Sequence, residues 1–150
     1  MGYSVRVYGG KAMDGIIVRD MRPADSEQVR ALFESVYKSL FSGAVPAFES
    51  AVRGERIFVA LHSGLIAGIA TVWEADSFIH FLFFDRRFRR KGVGRAMITK
   101  IAETYERPLT LKCLLENAGA MAFYRATGWR EMETGLCEEG AYALLRYDLM

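Results

Sequence analysis

Arg89-Arg90-Lys91-Gly92-Val93-Gly94-Arg95 is the stretch on which the fold turns. Upstream, Phe78 to Phe84 is rich in aromatics and nearly apolar throughout, as a central strand covered on both faces should be. Downstream, Val93, Met97, Ile98, Ile101 and Tyr105 fall along one helical face. The stretch therefore joins a buried strand to the start of a helix. A helix start carries unpaired N–H groups and partial positive charge, and so attracts anions. Gly92 and Gly94 remove side chains where phosphate oxygens would approach the backbone. Arg89, Arg90, Lys91 and Arg95 add attraction and donors, and Val93 opens the helix. The chemistry suits a pyrophosphate held mainly by backbone. The G-x-x-x-x-G-K-[ST] loop of nucleoside-triphosphate sites is absent, and Met97 stands where a dinucleotide fingerprint needs its third glycine. The six basic residues between Arg86 and Arg95 also suit a solvated face or a nucleic-acid patch.

Working outward, Ile16 to Val18 reads as a strand. Asp25 or Ser26 can cap a helix whose stripe is Val29, Leu32, Phe33, Val36 and Leu40. A short helix is expected over Ala47 to Arg53. Ile57 to Leu61 and Leu65 to Trp73 form strands joined at Ser63-Gly64, a hairpin signal. Leu109 to Leu115 is a further buried strand, and Ala118 to Thr127 a helix stopped by Gly128. Strands near Trp129 to Thr134 and Ala141 to Leu149 finish the chain. The order is β, α, α, β, β, β, α, β, α, β, β, an α/β (α+β) arrangement with hairpins and one strand–helix–strand crossover. The 150 residues are expected to make a single domain, with residues 1–12 a Gly-punctuated, strand-like extension.

A second segment follows the strand Leu109 to Leu115: Asn117-Ala118-Gly119-Ala120-Met121-Ala122-Phe123-Tyr124, closed by Gly128-Trp129. Asn117 suits a helix cap, and the small residues Ala118 to Ala120 let a ligand chain lie close. Phe123 reads as a core aromatic. With R-x-x-G-x-G and this N-x-x-A-x-x-F-Y in order, the chain resembles the GNAT superfamily of N-acetyltransferases. The resemblance is specific from about Leu82 to Trp129 and departs at Arg86-Arg87, where many members carry Pro-Glu.

The resemblance implies a GNAT fold, a mixed central sheet of about seven strands with helices on both faces. It implies acetyl-CoA as co-substrate, bound where two parallel strands splay apart. Leu82, Phe83 and Phe84 would then pair with the cofactor arm. Arg89 to Arg95 would hold the pyrophosphate, Asn117 and Ala120 would face the arm, and Tyr124 would protonate the leaving thiolate. The family's reaction is direct attack by an amine without an acyl-enzyme, and in arylalkylamine acetyltransferases, which this chain resembles here, a strand-borne His implies His80 as base, directly or through a water. A core histidine bonded to a backbone carbonyl, or solvent alone carrying the proton, stays open as the alternative. Side-chain period two puts Phe78, His80, Leu82 and Phe84 on one face. The acceptor pocket of this fold would draw on Tyr37, Phe41, Phe48, Glu49, Trp73, Glu74 and the Glu138-Glu139 turn. The partner is then a small-molecule or peptide amine, with homodimerisation left open.

Composition fits that reading. The formal net charge of +2 is too small for a general nucleic-acid binder. Cys113 and Cys137 have neither metal-ligand spacing nor a disulfide framework, so no metal is expected. With no secretory signal and no membrane-spanning run, a cytoplasmic protein without membrane contact is expected. Two alternatives stay open: a non-catalytic coenzyme A-binding sensor, and a nucleic-acid-binding module using Arg86 to Arg95.

Overall fold

Ser63 and Gly64 both adopt positive φ, 52° and 83°, the backbone that a two-residue hairpin turn requires. They join β2 (Arg56–His62) to β3 (Leu65–Trp73). The computed structural model describes residues 15–149, and the strand-like reading of residues 1–12 lies outside them. The remaining elements are β1 (Ile16–Asp20), α1 (Ser26–Leu40), α2 (Phe48–Ala51), β4 (Phe78–Phe84), α3 (Val93–Tyr105), β5 (Leu109–Leu114), α4 (Ala118–Ala126), β6 (Arg130–Cys137) and β7 (Gly140–Tyr147). One seven-stranded sheet runs in the order β1-β2-β3-β4-β5-β7-β6. Every neighbouring pair is antiparallel except β4 and β5. Among the described residues no helix is long and apolar enough to cross a membrane.

The helices divide between the two faces. The α1 stripe Val29, Leu32 and Phe33 packs with Val59, Ile66, Ile69 and Phe83. On the opposite face Val93, Met97, Ile98 and Ile101 of α3, with Met121 and Tyr124 of α4, pack on Phe58, Ala70, Val72 and Ile79. Each large apolar side chain fully buried in this way contributes about 1.5–3 kcal/mol. Asp25 does not cap α1 with its side chain. It turns inward instead, accepting from Arg22 N–H at 2.7 Å and Arg19 Nη1 at 2.8 Å, and so ties β1 to the start of α1.

Two irregularities in β4 shape the centre of the sheet. First, Phe81 pairs with Thr71 but Ile79 pairs with Val72, so His80 is an extra residue, a β-bulge. Phe81 N–H donates to the Thr71 hydroxyl at 3.1 Å. The bulge breaks the expected alternation. Ile79, Leu82 and Phe84 pack on the α3 side, whereas Phe81 and Phe83 pack on the α1 side. His80 stacks on Phe81, with centroids 4.0 Å apart. The common face expected for His80, Leu82 and Phe84 is therefore corrected: one inserted residue turns His80 with Phe81. Second, β4 and β5 pair only at Phe78↔Thr110 and Ile79↔Leu111. Beyond that point β5 stays paired with β7 as far as Leu114, and β4 with β3 as far as Phe84. The bulge directly after Ile79 bends β4 away, which opens a wedge between the two parallel strands.

Candidate active site

The wedge continues into a cleft of about 360 Å³ lined by Ile79 to Phe83 of β4, Leu111 to Leu114 of β5, Asn117, Ala120 and Tyr124 of α4, and Tyr37, Leu40 and Phe41 near the end of α1. Asp85 N–H donates to Ala67 O at 2.9 Å. In an antiparallel ladder alternate residues face the partner strand, so Phe83 bonds towards β3 while Leu82 and Phe84 turn their N–H and C=O groups towards the wedge. Of the three residues expected to pair with a bound chain, two present main-chain groups there. Phe83 contributes wall.

The start of α3 lies at the other end of this region. Gly92 sits in the left-handed region at φ 83° and is the helix N-cap, with no side-chain cap and no acidic residue in the first turn. Ala96 N–H closes the first helical bond, to Gly92 O at 3.0 Å. The N–H groups of residues 90–95 find no acceptor among the described residues. Arg89, Arg90, Lys91 and Arg95 are exposed and make no ion pair among the described residues, unlike Arg87, which is held by Asp85 at 2.7 Å. Six consecutive free donors within a cluster of unpaired cations make an anion cradle. Gly94 has a second reason to be glycine: a Cβ there would lie 2.7 Å from the Phe123 ring of α4. That contact seats the cradle beside α4, whose Asn117, Ala120 and Tyr124 lead into the cleft.

Asn117 caps α4, its Oδ1 accepting from Ala120 N–H at 3.3 Å. Tyr124 is 7% exposed and lines the cleft. Burial, and to a smaller extent neighbouring Cys113, pushes its phenol well above the usual range. Its hydroxyl has no hydrogen-bond partner among the described residues. Cys113 also lines the cleft, and burial pushes its thiol up to about 11. His80 reaches the cleft through the bulge, with Nδ1 2.7 Å from Glu55 Oε2.

The expected acceptor residues separate. Tyr37, Phe41 and Glu139 line the cleft. Phe48 is core, Glu49 pairs with Arg30, and Glu74 takes bonds from Tyr105 and Arg56 outside the cleft. Trp73 and Glu138 do not line it either. Glu55 was missed. It sits in the charged run Arg53-Gly54-Glu55-Arg56, and no sequence spacing ties it to a histidine 25 positions away.

The cradle and the open strand edges fit a phosphate-bearing ligand with an amide-rich arm. The Acetyltransferase (GNAT) family pattern matches residues 23–129. A Pseudomonas phage PaMx11 protein named 5-NmdU N-acetyltransferase is 30% identical over 83% of this chain and 94% of its own. An uncharacterized N-acetyltransferase of Methanocaldococcus jannaschii is 35% identical over 57% of this chain, which spans only 39% of that relative's length. The yncA protein of Salmonella typhimurium, solved with its cofactor acetyl-CoA, shares the fold at a TM-score of 0.70 and 12% identity, over 91% of this chain and 95% of that one. From the cradle, the wedge and these matches together, the chain belongs to the GNAT acetyltransferase family.

Proposed function

We propose that the chain transfers an acetyl group from acetyl-CoA to a primary amine of a small molecule or peptide by direct attack. The observation that carries this reading is the junction of the N–H groups of residues 90–95 with the edges of β4 and β5, both without partners among the described residues. Residues 90–95, with Arg89, hold the pyrophosphate. Leu82 and Phe84 offer main-chain groups to the pantetheine arm as a missing strand would. Asn117 and Ala120 flank that arm. Acetyl-CoA supplies an activated thioester. A β4 N–H facing the wedge polarises its carbonyl.

Two side chains manage protons. Tyr124, kept protonated by burial, donates to the departing thiolate, which leaves best when protonated. His80 accepts the proton of the incoming ammonium, directly or through water, because aliphatic amines are mostly protonated near neutral pH. Its place on the α1 side of the bulge, beside Tyr37, Phe41 and Phe81, puts that base among the aromatics that suit a cationic amine.

The test is coenzyme A binding by calorimetry together with acetyl transfer over a panel of amines, including 5-NmdU, the compound for which the phage relative is named. Tight coenzyme A binding with transfer to at least one amine is expected. Binding without transfer to any amine leaves a sensor. Salt-steep DNA or RNA binding without coenzyme A binding leaves a nucleic-acid module.

A further inference from the structure

We infer that Glu55 is a positioning residue that fixes His80 in the tautomer whose unprotonated ring nitrogen is left for the amine. The inference rests on the reading of His80 as base. Glu55 follows Gly54, at φ 81°, in the segment between α2 and β2, and its N–H donates to Val52 O at 2.9 Å. Its side chain is only 9% exposed. Oε2 lies 2.7 Å from His80 Nδ1, while Oε1 is buried with no partner among the described residues. The His80 ring is stacked at an interplanar angle of 26° on Phe81, and its side chain stays 39% exposed towards the cleft.

A carboxylate only accepts hydrogen bonds, so the proton between the two groups belongs to Nδ1. Neutral imidazole has one N–H, which leaves the Nε2 lone pair free. Nε2 has no hydrogen-bond partner among the described residues. Tyr37, Lys112, Cys113, Tyr124 and Glu139 share the cleft, and none of them bonds the ring. A buried carboxylate oxygen without a partner is costly, so this carboxylate is poorly accounted for by stability alone.

The proton balance is simple. An ammonium and a thioester become an amide, a thiol and one proton. Nε2 takes one proton from the ammonium nitrogen, whose freed electron pair forms the new C–N bond. As the C–S bond breaks, Tyr124 protonates the sulfur and regains its proton from the second N–H that the nitrogen gives up. The resulting imidazolium is held at Nδ1–H by Glu55 until solvent removes the proton.

Glu55→Gln tests the inference because the amide has two ways to sit. With its NH2 in the unpartnered buried position, two donors go unmet. With its oxygen there, only one acceptor does, as in the native chain. The NH2 therefore faces Nδ1, and the His80 proton moves to Nε2. Ring 15N shifts of histidine-labelled protein read the tautomer, and His62, the other of the two histidines, reports that the variant is folded. The native protein should show Nδ1–H and Glu55→Gln should show Nε2–H. In that variant kcat should fall about 10²-fold, with KM for the amine little changed, and Glu55→Asp should recover part of the rate. Nε2–H in the native protein, an unswitched tautomer in the variant, or native kcat in Glu55→Gln overturns the inference. His80→Gln separates the two readings. If it turns over like the native chain, the base reading falls and takes this inference with it. If it is slow while Glu55→Gln is fast, only the role of Glu55 falls.

Discussion

Two helices of this chain begin in the same way, each after a parallel strand at the centre of the sheet, and their first turns are treated in opposite ways. At α4, Asn117 closes the end by accepting from Ala120 N–H. At α3, Gly92 brings no side chain, and the N–H groups of residues 90–95 find no acceptor among the described residues and sit among exposed cations. A capped start has one of its open donors met by its own side chain, whereas an uncapped one beside arginines that pair with no described residue leaves all of them to an anion from outside. The contrast explains why α4 contributes side chains to the cleft while α3 contributes backbone.

The largest effect should come from the side chain that α4 delivers. Tyr124→Phe keeps the buried ring and removes only the hydroxyl, so kcat should fall by about 10²–10⁴-fold. Steady-state kinetics should show KM for acetyl-CoA nearly unchanged. Native turnover in the variant would reduce Tyr124 to packing.

Next comes the α3 start. Arg89→Glu with Arg95→Glu replaces donors by repulsion, and coenzyme A affinity should fall about 10–100-fold, since a charge-assisted hydrogen bond contributes about 1.5–3 kcal/mol. Calorimetry at two salt concentrations should show the native affinity to be the more salt-sensitive. Equal reversals on α4 should do far less.

Gly94 belongs to both regions. Its missing Cβ makes room for Phe123, so Gly94→Ala should destabilise the fold by about 1–3 kcal/mol through overpacking. Phe123→Leu should restore part of that loss in a denaturant titration. An aspartate at Gly94 would confound this clash with repulsion of phosphate, which makes the arginine pair the cleaner probe of the cradle.

The smallest effect is the cap itself. Asn117→Ala should cost about 1 kcal/mol of stability, read as a lowered Tm. If coenzyme A affinity falls as well, Asn117 also touches the ligand and the contrast between the two helix starts is less sharp.

Much of this was legible in the chain. The order of strands and helices followed from periodicity and turn residues: Ser63-Gly64 made the hairpin and Gly128, at φ 96°, ended α4. The cradle was legible because glycine and arginine spacing at a strand-to-helix junction is local information. The last hairpin was less so. β6 extends to Cys137 and β7 begins at Gly140, beyond the stretches expected, because β6 is an exposed edge strand whose residues show little buried alternation.

By itself the sequence determined the local features: the order and type of the elements, where the anion-binding turn lies, and which family the two motifs resemble. Tertiary structure decided what depends on neighbours. The His80 bulge is a mismatch of register between β3 and β4, which β4 alone does not encode, and it turned the histidine to the α1 side against simple alternation. The wedge exists because β5 follows β7 and β4 follows β3 beyond their last shared pair. Glu55 meets His80 across 25 residues because the bulge aims the ring at the segment entering β2. A hydrogen bond between such distant positions is set by chain packing, and periodicity carries no record of it.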